Sequence, residues 1–251
     1  MSTAMHSIRS VVRHSLSRLG IEVQPLPLRA TDIAACIPFE LTLEAASKAG
    51  LSIGDYIDVV ANGKVGATQA TFEGMRQLGV FDEKIERVVE IGPGTGRYME
   101  KTLQSCSADH YEFYEPDLAW AHYLEKRYGT TRQPATGLNL NVTETASIDL
   151  AQALKVFSAV DLITTFRYWP EMVRVTRPGG WVVFDVVTES CLDPDTVDRW
   201  TGCGLRPGNY PGAVPRATVL NYFSARGFST TGTFQIPMGP GTTEVFVFRK
   251  Q

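Results

Sequence analysis

Cysteine is scarce in this 251-residue chain: there are four, Cys36, Cys106, Cys191 and Cys203, and no two form a CxxC pair. That spacing excludes a zinc knuckle and a disulfide framework and leaves ordinary reduced thiols. Long apolar runs are also missing, since none approaches the ~18 residues that a membrane span needs. The first residues, MSTAMHSIRSVVRHSLSRLGIEV, have no continuous apolar stretch or small-residue cleavage site, so a cytoplasmic location is expected. Neither sign of charge dominates, with 24 Lys and Arg against 27 Asp and Glu. A net charge of −3 argues against a nucleic-acid partner, which would require clustered basic residues. What the chain does have is apolar content, 43% of its residues, and enough length for one large α/β domain or a domain with a lid.

The first twenty residues fit an amphipathic helix. Ile8, Val11, Val12, Leu16 and Leu19 share one side, Arg9, Arg13, His14 and Arg18 fill much of the rest, and Gly20 can stop it. The plain reading is a helix packed on its own domain or on a partner subunit. The alternative is weak, reversible contact with an anionic membrane surface. Pro25 and Pro27 mark a connector, and residues 39–79 read as helical, with Phe72, Met75 and Leu78 on one face and Gly79 as a stop. Residues 1–84 are therefore expected to form a helical cap. From Arg87 onward strands alternate with helices, the pattern of a doubly wound α/β domain with a mostly parallel sheet, taken to span 85–251. Strands are expected near 88–91, 110–114, 148–154 and 181–187, with a closing hairpin from 229–236 and 244–248. Helices are expected near 98–103, 117–128, 162–176 and 217–226.

The segment VVEIGPGTGR, Val88 to Arg97, carries the most information. Gly92, Gly94 and Gly96 follow an apolar strand, so the backbone there can turn tightly and approach a ligand. A dinucleotide fingerprint would place its third glycine at residue 97, which is Arg and is expected to deny the close helix packing that glycine allows. Glu90, two residues before the first glycine, would repel a pyrophosphate but suits a cationic ligand with an amino group. Glu115, in YEFYEPD, ends the next strand nineteen residues after Gly96, where its carboxylate can accept from both hydroxyls of a ribose.

Together with Ser147-Ile148-Asp149-Leu150 and the run RVTRPGGWVVFD, these residues resemble class I S-adenosylmethionine-dependent methyltransferases from about Arg87 to the C-terminus. The resemblance implies a seven-stranded, mostly parallel sheet whose terminal hairpin supplies an antiparallel strand, and S-adenosylmethionine as cofactor. It implies that Glu90 holds the methionine amino group, directly or through water. It implies further that Gly92, Gly94 and Gly96 line the carboxypropyl arm, that Glu115 binds ribose and that Pro116 lies against the adenine. Where the family often has an acidic residue for the adenine amino group, this chain reads Thr136-Gly137-Leu138-Asn139, so backbone groups or Asn139 must substitute. Ala153 and Leu154 would lie near the methionine side.

Many O-methyltransferases of this kind place a histidine just after the strand that ends here at Leu154, but this chain continues Lys155-Val156-Phe157. Its histidines, His6, His14, His110 and His122, lie elsewhere. Asp185 is a candidate catalytic or substrate-contacting group at the carboxyl end of its strand, or else a turn cap. Lys155, Arg167 and Tyr168 are candidates to line the acceptor pocket, or else a solvated helix entry. Asp185, Glu189, Asp193 and Asp195 have the chemistry for a divalent metal, yet Asp193-Pro194 already reads as a helix start, and no metal is expected. Tyr168, Trp169, Trp200 and Tyr210 are either an aromatic lid or core. The favoured function is transfer of a methyl group to a hydroxyl of a small molecule or glycan, with a sugar preferred. The basic N-terminus resembles leaders of bacterial glycan-modifying methyltransferases. The alternatives are a non-catalytic S-adenosylmethionine-binding module or an NAD-dependent oxidoreductase. A homodimer stays open.

Overall fold

The computed structural model describes residues 37–63, 65–204 and 211–251. The basic helix expected at 1–20, the connector prolines and Tyr210 lie outside these residues.

The stretch expected to be helical over 39–79 is three helices: α1 (Phe39–Ala49), α2 (Ile53–Asn62) and α3 (Ala67–Gln77). Glycines make the breaks. Gly50 closes α1 in a left-handed conformation at φ 65°, and Gly63 closes α2 at φ 73°. Between them Ser52 caps α2 by accepting from the amide of Asp55 at 3.0 Å.

Strands β1 (Arg87–Ile91), β2 (His110–Tyr114), β3 (Thr131–Arg132), β4 (Ile148–Ala153) and β5 (Thr176–Val186) pair in parallel. The last two strands, β6 (Phe228–Met238) and β7 (Gly241–Lys250), form an antiparallel hairpin, and β7 inserts beside β5. The sheet order is β3-β2-β1-β4-β5-β7-β6. The order reverses between β1 and β4, and open α/β sheets bind their ligands at the carboxyl ends of strands at such a switch. Helices α4 (Arg97–Ser105), α5 (Leu118–Tyr128), α6 (Leu162–Val175), α7 (Pro194–Gly202) and α8 (Arg216–Ser224) connect the strands. Asp117, Asp161 and Asp193 cap α5, α6 and α7 through side chains that accept from backbone amides.

Side chains alternate along each strand and build two cores. On one face Phe72 and Met75 of α3, Tyr98 and Met99 of α4 and Leu124 of α5 cover Val88, Leu150, Val183 and Val247. On the other, Trp169 and Met172 of α6 and Phe223 of α8 cover Ala151, Phe184, Phe246 and Phe248. Helix α3 is thus a wall of the sheet itself, and the division expected at residue 84 falls inside one continuous core. Trp169, a candidate lid residue in the sequence, is fully buried and packs on Phe166, Phe184, Tyr222 and Phe223. It is core because α6 lies flat on the sheet and turns that side inward.

Candidate active site

The glycine loop joins β1 to α4 at the switch point. Gly92, Gly94 and Gly96 all have positive φ, 59°, 52° and 77°. Gly96 also carries a packing demand, since a Cβ there would stand 2.2 Å from Cδ2 of the buried Leu124. The close approach of α4 to α5, which the sequence withheld from residue 97, is made one residue earlier. Around Gly94 there is open space, the nearest atom to a Cβ being the Gly92 carbonyl at 4.0 Å, so the loop leaves room for a ligand against bare backbone.

Glu115 braces that loop. Its Oε2 accepts from the Gly94 amide at 2.8 Å and its Oε1 from the Asp117 amide at 2.9 Å. Each oxygen keeps a free lone pair, which fits two ribose hydroxyls. Burial raises the carboxyl pKa, while the two amides oppose the shift. Pro116 stands exposed beside it. Leu138 is exposed, with its amide donating to Thr136 Oγ1 at 3.3 Å, and Asn139 Oδ1 accepts from the same hydroxyl at 3.4 Å. Ala153 is fully buried in the α6-side core and offers the site no side chain. Glu90 is 1% exposed and lies below the loop, under α4. Its Oε2 accepts from the Tyr111 hydroxyl at 2.5 Å, and Gln152 donates to that hydroxyl at 3.1 Å and to Thr102 Oγ1 at 2.9 Å. Burial raises the Glu90 pKa to about 8, against the hydrogen bonds from Tyr111 and Gln152.

One step across the switch, Lys155 leaves the end of β4 in the left-handed region at φ 60°, a conformation rare for a residue with a side chain. Asp185 of β5, fully buried, imposes it by accepting from the Lys155 amide with Oδ1 at 2.5 Å. The amine turns back toward the same carboxylate, 3.4 Å from Oδ2, and donates to Thr243 Oγ1 of β7 at 2.6 Å. Burial lowers the Lys155 pKa to about 8; the Asp185 carboxylate opposes this and the Arg97 guanidinium adds to it.

A glycine loop on a strand-to-helix turn, an acidic brace at the end of β2 and a buried amine past β4 all lie at the carboxyl edge of the sheet. The methyltransferase domain family matches residues 66–230, well over half of the chain. The chain belongs to that family. Its methyl donor is accordingly S-adenosylmethionine, and the open loop with the two free lone pairs of Glu115 fits that molecule. No curated protein sequence matches the chain. Among solved structures, this methyltransferase is similar in fold to the N-methyltransferase NodS from Bradyrhizobium japonicum WM9 in complex with S-adenosyl-L-homocysteine. The two share 17% identity over 83% of this chain and 98% of that one, with a TM-score of 0.57. Magnesium protoporphyrin IX methyltransferase from Synechocystis PCC 6803, with bound S-adenosylhomocysteine, aligns at 13% identity over 74% and 84% of the chains (TM-score 0.58). An O-methyltransferase family protein from Burkholderia thailandensis aligns at 12% identity over 91% of this chain and 64% of that one (TM-score 0.56).

The other candidate residues of the methyltransferase separate. Tyr168 packs on Phe157 in the core, and burial pushes its phenol up to about 12, with Glu115 and Tyr114 adding to the effect. Arg167 is exposed one residue away. Trp200 packs beside Gly241, where a Cβ would lie 2.5 Å from its Nε1. Glu189 accepts from the Arg216 amide at 2.9 Å and Asp193 caps α7. With Asp185 held on Lys155, these carboxylates do not converge. Among the described residues no three His, Cys, Asp or Glu side chains stand close enough to hold a metal. Sequence reasoning missed Tyr111, Gln152 and Thr243, and also Asp58 of α2, whose Oδ1 accepts from Nη1 of the buried Arg97 at 2.9 Å.

Proposed function

We propose that this methyltransferase transfers a methyl group from S-adenosylmethionine to a hydroxyl of a small molecule or glycan, a sugar hydroxyl being favoured. The observation that carries the proposal is the Lys155 amine past β4, clamped between Asp185 and Thr243 and titrating near 8. A hydroxyl acceptor gains from a group that takes its proton as the new bond forms. The neutral amine of Lys155 does this; Asp185 positions it and balances the ammonium that results. Tyr168, proposed from the sequence as a third group of the acceptor side, packs on Phe157 in the core, and its role there is tested by Tyr168→Phe, which should leave turnover near the parental value if it is only packing.

The bound cofactor supplies an electrophilic methyl group on a sulfonium. Gly92, Gly94 and Gly96 would line its carboxypropyl arm, Glu115 would accept from its ribose hydroxyls, and Pro116, Leu138 and Asn139 would border its adenine. Ala153 contributes backbone beside the methionine end, and Glu90 places a titratable carboxyl beneath the loop. Holding acceptor and methyl in line can contribute roughly 7–11 kcal/mol without further chemistry. The even charge of the chain suits a modest organic acceptor more than a nucleic acid.

The test incubates the full chain with isotope-labelled S-adenosylmethionine and a panel of sugars, glycolipids and phenols. Methyl transfer to a hydroxyl, with a rate rising through pH 8, is the expected result. Transfer only to amines would overturn the hydroxyl reading. Tight cofactor binding without turnover on any acceptor would leave a binding module instead.

A further inference from the structure

The carboxylate of Asp185 is fully buried, and its two oxygens are used unequally. Oδ1 accepts from the Lys155 amide at 2.5 Å, while Oδ2 has no hydrogen-bond partner among the described residues. A buried carboxylate oxygen is normally satisfied, so an orphan calls for a reason. The Lys155 amine stands 3.4 Å from Oδ2, and among the described residues Asp185 is the one carboxylate within 4 Å of it. Yet the amine donates elsewhere, to Thr243 Oγ1 at 2.6 Å. A neutral hydroxyl thus holds the amine just short of a charged group that would bind it more strongly.

Both ends of this arrangement are fixed. Lys155 leaves β4 with a positive φ that its amide bond to Asp185 holds, so the side chain starts from a set position. Thr243 is fully buried and pairs with Ile236 of β6. The next residue, Glu244, points to the opposite face of β7. There it accepts from the Thr188 and Ser190 hydroxyls at 2.6 and 2.9 Å and from Arg216 Nε at 2.7 Å, which pins β7 beside Thr243. Besides Asp185 of β5, the charged and titratable groups that bear on the amine are Arg97 of α4 and Cys191 of the short turn after β5.

We propose that Thr243 is a positioning residue that holds the neutral Lys155 amine off Asp185, and that the vacant Oδ2 receives the amine once it has taken the acceptor's proton. The proposal rests on the reading of Lys155 as the group that takes that proton. The hydroxyl suits the waiting state, because it can accept from the amine or turn its own O–H to the amine's lone pair. When the proton passes from the acceptor hydroxyl to Nζ, the ammonium gains a charge-assisted hydrogen bond by closing from 3.4 Å to about 2.8 Å on Oδ2. Without the Thr243 hydroxyl the amine rests on the carboxylate throughout, keeps its proton more tightly and acts as a base only at higher pH. A threonine that merely accepted from the ammonium would act the other way, since its loss would make that proton easier to lose.

The test is a titration of the full chain labelled with 13C at lysine Cε, with the Lys155 resonance identified by its loss in Lys155→Gln. Thr243→Val keeps the shape and removes the hydroxyl. The expected result is a midpoint raised by about one pH unit, the size of effect that an opposite charge at close range produces. Thr243→Ser, which keeps the hydroxyl, should leave the midpoint at the parental value. In an Asp185→Asn background, where no carboxylate is left to close on, Thr243→Val should no longer raise it. The rising limb of the methyl-transfer pH profile should follow the midpoint in each variant, with S-adenosylhomocysteine affinity unchanged by Thr243→Val. A lowered or unmoved midpoint in Thr243→Val, or a rise that persists without Asp185, would overturn the proposal. If Thr243→Val does not fold, Thr243→Ala, equally without a hydroxyl, decides by the same criterion. The titration needs no acceptor. A failure to find a hydroxyl substrate thus counts against the proposed function, whereas an active enzyme whose midpoint falls or stays counts against the role of Thr243.

Discussion

Replacing Gly96 with alanine should be far more damaging than the same change at Gly129, although both glycines sit in the left-handed region. At Gly96, φ 77° costs an L-residue about 1–2 kcal/mol. The new methyl would also stand 2.2 Å from Cδ2 of Leu124, which is fully buried and has nowhere to retreat. Overpacking of that kind costs typically about 1–3 kcal/mol, for a total of roughly 2–5 kcal/mol. At Gly129, φ 66° imposes the same backbone strain, but no atom lies within 4 Å of the added methyl, so about 1–2 kcal/mol is expected. Urea unfolding of the parent and both variants reads the difference as a shift in midpoint at constant slope. A double-mutant cycle of the parent, Gly96→Ala, Leu124→Ala and the double variant isolates the clash, because removing Leu124 relieves it and the two changes should be strongly non-additive. Repeating the titrations with excess S-adenosylhomocysteine adds a functional arm. A displaced α4 tilts the loop, so the ligand-dependent gain in stability should shrink in Gly96→Ala and persist in Gly129→Ala. Equal destabilisation of the two variants would refute the claim that Gly96 exists for packing.

Glu90, with its folded pKa raised from 4.5 to about 8, binds more protons in the native than in the unfolded chain between those values. Stability should therefore fall as pH rises through that window, and Glu90→Gln should flatten the fall; parallel slopes in the two proteins would contradict it. Glu115→Ala frees the Gly94 amide and removes both ribose acceptors, so calorimetry should record S-adenosylhomocysteine affinity lower by about tenfold or more. Lys155→Met combined with Asp185→Asn avoids an orphaned charge. It should lower turnover roughly 10²–10⁴-fold while leaving cofactor affinity near the parental value, and a parallel loss of both would point to a structural role.

The order of chemistry along the chain was legible because parallel sheets impose it. Each strand must be followed by a turn at the same edge, so GPGTG after β1 and Glu115 after β2 had to meet at one place once the βα alternation was recognised. Glu115 and Gly94 are 21 residues apart, within one strand–helix–strand unit, and that proximity is local knowledge. Helix caps at Asp117, Asp161 and Asp193 are legible for the same reason: cap and capped amides lie within three residues of one another. The breaks at Gly50 and Gly63 were legible in kind but were passed over in favour of one long helical stretch.

Charge placement at Glu90 was visible in the sequence, but its environment was not. Alternation along β1 puts Glu90 on the face opposite Val89 and Ile91, and only the parallel register with β2 and β4 brings Tyr111 and Gln152 against it. The result is a carboxyl that titrates near 8 instead of a permanent anion. Lys155, Asp185 and Thr243 lie 30 and 88 residues apart and meet because β7 runs backward beside β5, a pairing that no local pattern specifies. Arg97 spoke in the sequence only against a dinucleotide fingerprint, and its pairing with Asp58 was not legible, since 39 residues that include α3 and β1 separate the two. The sequence by itself determined the family, the glycine loop after β1 and the strand–helix alternation that brings it to Glu115, all consequences of short-range spacing. Only the tertiary structure decided which charges face each other there, because burial and strand register, not spacing, set the protonation of Glu90 and Lys155.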